Sequence, residues 1–104
     1  MKRGEVWWAR LELPIGARPV VLLSRDESYR IRDAVIVAPV TTTLWNIPVE
    51  VPLGPADGLS KPCVVNVDTL LTVEKTQLTR FMSALSLEKI QAINDAIKFA
   101  LALP

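Results

Sequence analysis

Apolar and polar positions follow a short period along most of this chain and a long one at its end. Gly4 to Leu13 alternates loosely, with Val6, Trp8 and Leu11 set against Glu5, Trp7 and Arg10, and reads as a strand. Pro14–Ala17 is a short connection. Arg18-Pro-Val-Val-Leu-Leu-Ser24 predicts a second strand, with Pro19 at its start or on an edge because proline offers the ladder no donor. The charged stretch Arg25–Arg32 is a loop or a single helical turn. Ala34–Thr41 is a third strand whose unbroken apolar run predicts burial on both faces. Ile47–Leu53 alternates and carries two prolines, as an edge strand does. After the turn-rich Gly54–Pro62, Cys63–Val73 is strand-like throughout with a bend near Asp68. Glu74–Thr79 reads as a connector and Arg80–Leu85 as a last short strand.

The period then lengthens. Ser86 is a good N-cap, and the helix it opens is expected to run to about Ala102. Leu87, Ile90, Ile93, Ile97 and Leu101 fall on one face, and Ala96, Phe99 and Leu103 widen it beyond what one small sheet covers, leaving apolar surface for a second subunit. Several short strands and one terminal helix predict a mainly β fold, a small antiparallel barrel or a strongly curved sheet with a C-terminal α-helix, in a single domain spanning residues 1–104.

Composition narrows the chemistry more than the fold. The chain has 104 residues, half of them hydrophobic, enough for one small core. No apolar run reaches the roughly 18 residues of a membrane helix, and the opening Met1-Lys-Arg-Gly-Glu-Val enters a strand pattern with no signal-peptide core, so a cytoplasmic location is expected. The single cysteine, Cys63, permits no internal disulfide and fits a small core residue. The chain contains no histidine, which excludes Ser-His-Asp and Cys-His chemistry and the common zinc sites; no metal or other cofactor is expected. Net charge is +1, so any basic patch must be local.

Within that frame one juxtaposition stands out. If the second and third strands lie side by side, Arg18 at the mouth of one comes near Thr41, Thr42 and Thr43 at the end of the other, a fixed cation beside a cluster of hydroxyls and a plausible seat for an anion such as a phosphate.

The residues that carry these features also resemble a known family. Arg3-Gly-Glu-Val-Trp-Trp8, Arg18-Pro-Val-Val-Leu-Leu-Ser24, Val37-Ala-Pro-Val-Thr41-Thr and Cys63-Val-Val-Asn-Val-Asp68, with Leu71-Thr and the helix opening Leu85-Ser-Leu, are similar in order and spacing to the motifs of the MazF/PemK (Kid) toxins. The resemblance implies an SH3-like barrel of the plasmid-maintenance toxin type with a C-terminal helix, a homodimer, and a metal-independent endoribonuclease that cuts single-stranded RNA at short motifs. It implies an antitoxin partner, MazE-like, whose disordered C-terminal segment blocks the RNA groove. Carried over by motif, Arg18 is the catalytic arginine, Thr41 its hydroxyl partner, and Asp68 falls where some members use a catalytic aspartate. The chain departs from the family between its first two strands: a long polar loop is cut down to Pro14–Ala17, and Ala17 stands where a second arginine is usual.

The chemistry implied is attack of an RNA 2′-hydroxyl on the adjacent phosphate, leaving a 2′,3′-cyclic phosphate and a 5′-hydroxyl. Arg18 would grip the phosphate and Thr41 would donate to a non-bridging oxygen. Guanidinium groups are poor bases, with pKa values above ~12, so Asp68 is the chemically easier base. Candidate RNA-binding residues are Arg3, Arg25, Arg30, Thr42, Thr43, Trp45 as a stacking platform, and Asn66 as a base-edge reader. Each has a plainer reading. Arg18 fits a strand-end salt bridge, Thr41–Thr43 ordinary β-branched strand residues, Asp68 a turn cap, Trp7 and Trp8 core or interface, and the loop arginines a solvated face. The rival function is a non-catalytic SH3-like module, an adaptor or a toxin that acts by binding, as a topoisomerase poison does.

Overall fold

In the computed structural model, which describes all 104 residues, the short-period runs form seven strands. They are β1 (Glu5–Arg10), β2 (Ala17–Leu22), β3 (Ala34–Thr41), β4 (Glu50–Leu53), β5 (Cys63–Asn66), β6 (Leu71–Glu74) and β7 (Leu78–Ala84). The charged stretch after β2 closes into one helical turn, α1 (Ser28–Ile31), and α2 (Leu87–Ala100) follows β7. Every strand pair is antiparallel, and the sheet order is β4-β5-β3-β2-β1-β7, with β6 on β3.

The predicted bend near Asp68 is observed. β5 and β6 run along the same edge of β3, Val40 and Thr41 facing Val65 and Val64, and Ala34–Val37 facing Glu74–Leu71. Pro39 lies in β3 where its pairing passes from β6 to β5, a gap in which a missing N–H costs no ladder bond. β4 is an edge strand as expected, though it begins only at Glu50, and β7 begins two residues earlier than its pattern suggests.

Of the two forms expected, a barrel or a strongly curved sheet, the second describes the molecule more closely. β4 and β7, the two ends of the path, do not pair, so the sheet wraps its core without closing. The seam is spanned instead by a side chain: Ser83 Oγ donates to the Asp57 carbonyl at 2.7 Å. Gly58 packs against Ser83 with φ +89, and a Cβ there would stand 2.4 Å from that of Ser83. Only glycine meets both conditions.

Alternation along β2 and β3 divides the interior in two. Val21, Ala38 and Val40 join Val6, Val51, Val65, Leu85, Ile93 and Ala96 in the larger core, under α2. Val20, Leu22, Val35 and Val37 join Ala9, Val73 and Leu78 in a smaller one, flanked by Trp7, Leu11, Tyr29 and Leu71. β3 is thus buried on both faces as its run predicts, Ile36 (44% exposed) excepted. Leu11 packs with Trp7 and not with Val6, because it shares the parity of Ala9 and Trp7 along the chain.

α2 opens as expected, with Ser86 Oγ accepting the Lys89 N–H. It stops at Ala100 in a Schellman arrangement, Leu103 N–H to Lys98 O and Ala102 N–H to Phe99 O, with Ala102 at φ +55. Ile93 and Ala96 carry its burial. Leu87, expected on the apolar face, is 85% exposed, since the first helical residue lies beyond the sheet's cover. Gly4 lets the helix approach: at φ +89, a Cβ there would meet Ile90 Cδ1 at 2.5 Å.

Candidate functional site

β2 and β3 pair through Leu22–Val37, Val21–Ala38 and Val20–Pro39, and there the ladder stops. Extended by two residues, the same register sets Arg18 opposite Thr41. At this point β3 turns to β5, with Thr41 facing Val64, and the strands part. The opening is a cavity of about 490 Å³ lined by Arg18, Thr41 and Thr42 together with Trp8, Ser60, Lys61, Cys63 and Arg80, among others. Three cations line it and no carboxylate does.

Arg18 is half-buried on the floor. Its Nη2 donates to the Ile15 carbonyl, which ties the guanidinium to the short β1–β2 connection and not to an acid. Its Nε is the one buried side-chain nitrogen or oxygen in the chain without a hydrogen-bond partner. An unmet buried donor costs on the order of 1–3 kcal/mol, and folded proteins carry few of them. Thr41 Oγ1 accepts the Thr43 N–H at 3.2 Å, so the hydroxyl proton is free to be donated elsewhere. Cys63 borders the same cavity, but its thiol is pushed above its ordinary pKa, first by burial and then by the charge of Asp57, against a smaller opposing effect of Lys61. Such a thiol is a poor nucleophile.

The other sequence candidates lie elsewhere. Asp68 is exposed in the 67–70 bend, outside the cavity lining, and its N–H bonds Asn66 Oδ1 at 2.9 Å. That contact makes the pair a local Asx turn. Arg3 Nε donates to Leu23 O at 3.0 Å and its Nη2 to Asn94 Oδ1 at 2.8 Å, so it clamps the end of β2 to α2. Arg25 and Arg30 are exposed near that same end, Arg30 on α1 beside Tyr29. Thr43 and Trp45 follow Thr41 on the loop that leaves the cavity. Trp45 is 69% exposed, while its backbone N–H and that of Asn46 are held by the Glu50 carboxylate.

Three lining groups were not singled out from the sequence: Trp8, Lys61 and Arg80. Trp8 pairs with Arg80 across β1 and β7, and the guanidinium carbon of Arg80 stands 5.8 Å from the centroid of the Trp8 ring. Trp7 points the other way, edge-on to Phe81 at 6.0 Å and bonded through Nε1 to Glu5.

With this geometry in hand, comparison with known proteins is decisive. Residues 2–101 match the family described as PemK-like, MazF-like toxin of type II toxin-antitoxin system. The chain belongs to that family. It is 40% identical over 100 residues to the probable endoribonuclease MazF5 of Mycobacterium tuberculosis, covering 94% of this chain and 90% of the relative. Among solved structures, the Mycobacterium tuberculosis toxin MazF-mt6 superposes with a TM-score of 0.89 at 33% identity, over 96% of this chain and 98% of that one. An endoribonuclease in complex with its cognate antitoxin, from a mycobacterial species, superposes with a TM-score of 0.87 at 32% identity, over 100% of this chain and 97% of that one. The MazF-like fold of the chain, a mostly antiparallel sheet with a C-terminal helix, is therefore that of its structural neighbours.

Proposed function

We propose that this toxin is a metal-independent endoribonuclease that cleaves single-stranded RNA through the substrate's own 2′-hydroxyl. The observation that carries the reading is the meeting of Arg18 and Thr41 on one acid-free cationic cavity in a chain of this family. The scissile phosphate sits against Arg18, whose unmet Nε and remaining N–H groups supply charge and donors where negative charge grows on phosphorus. Thr41 donates its hydroxyl proton to a non-bridging oxygen, with its own oxygen held by Thr43 N–H. The 2′-oxygen gives its proton to the base and bonds to phosphorus as the bond to the 5′-oxygen breaks and that oxygen takes a proton from water, so the products carry a 2′,3′-cyclic phosphate and a 5′-hydroxyl. Thr42, Thr43 and Trp45 receive the strand as it leaves the cavity.

The base is Asp68, reaching the substrate from the bend outside the cavity, since the lining itself offers no carboxylate. Asp68→Asn separates this role from turn formation: a fall in kcat of a hundredfold or so fits general-base catalysis, and unchanged kcat assigns Asp68 to the turn. The protein works in the cytoplasm as a homodimer, in keeping with the exposed Phe99, Leu101 and Leu103. It is held inactive by a cognate antitoxin, a reading supported by the mycobacterial neighbour whose structure is that of an endoribonuclease in complex with its cognate antitoxin. No helix is long and apolar enough to cross a membrane.

The deciding experiment is incubation of the purified protein with a long single-stranded RNA in EDTA, followed by end-group analysis. Discrete cuts ending in cyclic phosphate, lost in Arg18→Ala, are expected. A folded protein that cuts no RNA, or an Arg18→Ala variant that still arrests growth, would shift the assignment to a toxin that acts by binding; the short β1–β2 connection, with Ala17 on the cavity rim, is the feature that favours that second reading.

A further inference from the structure

A single phosphodiester carries one negative charge, and Arg18 alone can match it. The cavity nevertheless holds two more cations. The Arg80 guanidinium carbon lies 5.8 Å from the centroid of the Trp8 ring, a contact that leaves its N–H donors unused. Lys61 comes from the segment Leu59-Ser60-Lys61, which forms another part of the wall. The two are structurally coupled. The Ser83–Asp57 hydrogen bond and the close packing of Gly58 on Ser83 pin that wall to β7, three residues beyond Arg80. The wall therefore has a defined position relative to the strand carrying Arg80.

We propose that Arg80 and Lys61 form a second phosphate subsite, so that the cavity grips two consecutive phosphates of the RNA strand and not the scissile one alone. The inference rests on the nuclease reading for its substrate class but not for its geometry, which follows from charge count and placement. Arg80 and Lys61 are positioning residues: they hold the neighbouring phosphate and thereby set the register of the chain over Arg18 and Thr41. The exposed part of Trp8 serves as the fixed seat for Arg80 and need not stack on a base.

The test uses binding, so that it stands apart from cleavage. The probe is a short single-stranded RNA of mixed sequence, 2′-O-methylated throughout so that it cannot be cut, and affinity is followed against salt concentration. Each phosphate neutralised on a single strand contributes about 0.7 to the slope of log K against log salt. Arg80→Ala and Lys61→Ala are each expected to weaken binding about five- to tenfold at low salt, and the double variant to lower the slope by about 0.7, one phosphate's worth. Arg80→Lys in the Lys61→Ala background keeps one cation at the subsite and restores the slope that the double alanine variant loses, which a purely structural Arg80–Trp8 contact would not predict. Unchanged slopes in folded variants overturn the proposal, as does a wild-type protein that does not bind the probe. Loss of binding to an acidic peptide with RNA binding intact also overturns it, assigning the two cations to a protein partner. A protein that binds the probe with the expected slopes yet cuts no RNA leaves the subsite standing and removes only the nuclease reading.

Discussion

The two ends of β2 each carry an arginine nearby, and the two are held in opposite ways. At the far end, Arg3 bonds a carbonyl on one side and the Asn94 amide on the other, while its own N–H bonds Asp26. Around it the Ser24 hydroxyl accepts the Ile36 N–H, the Tyr29 hydroxyl donates to Ser24 O, and Lys75 Nζ donates to Tyr29 O. At the near end the ladder parts, and Arg18 keeps a buried N–H unmet beside a free hydroxyl. The contrast teaches that an arginine's role is read from where its donors go. The Arg3 network is closed and ties strand, loop and helix together; the Arg18 network is open.

Removing each arginine in turn should have opposite effects. Arg18→Ala should cost at least about a hundredfold in RNA cleavage, the scale of losing an oxyanion donor, with little change in the urea midpoint. Arg3→Ala should do the reverse: it leaves the Leu23 carbonyl and Asn94 amide without their charged partner, a loss of about 2–3 kcal/mol, while folded protein keeps its cleavage rate. Equal effects of both substitutions on stability would erase the distinction. A smaller effect is expected with pH. Burial, reinforced by the charge of Asp26, pushes the Tyr29 hydroxyl from 10.0 up to about 12. Its folded-state value is the higher one, so its contribution is complete below pH 10 and is lost as pH rises from 10 to about 12. Denaturation midpoints should fall across that window in the wild type, and fall less in Tyr29→Phe.

Much of the near end could be read from the sequence because it is local in pattern. Two valine runs of similar length, one opening with Arg18 and the other ending at Thr41, pair in the register their apolar faces require. The bend at Asp68, the edge position of β4 and the Ser86 cap are likewise short-range signals. The partners of Arg3 and Arg80 are not. Arg3 meets Asn94 only once α2 has docked. Arg80 meets Trp8 across a β1–β7 pairing whose register shifts twice, between Val6 and Trp7 and again between Trp8 and Ala9. A two-residue alternation cannot be carried through such irregularities. Closure of the sheet was unreadable for a related reason: whether β4 meets β7 depends on accumulated twist and not on any one run.

The cavity is built from two kinds of material. Its floor, Arg18 and Thr41, belongs to strands locked between two cores, where any insertion would throw a whole face out of register. Part of its wall, Leu59 to Lys61, belongs to a turn pinned to β7 at Gly58 and Ser83. Turns accept lengthening and new side chains that strands refuse. A chain built on this plan can change the shape and charge of that wall one loop residue at a time, while the strands hold Arg18 and Thr41 where they are.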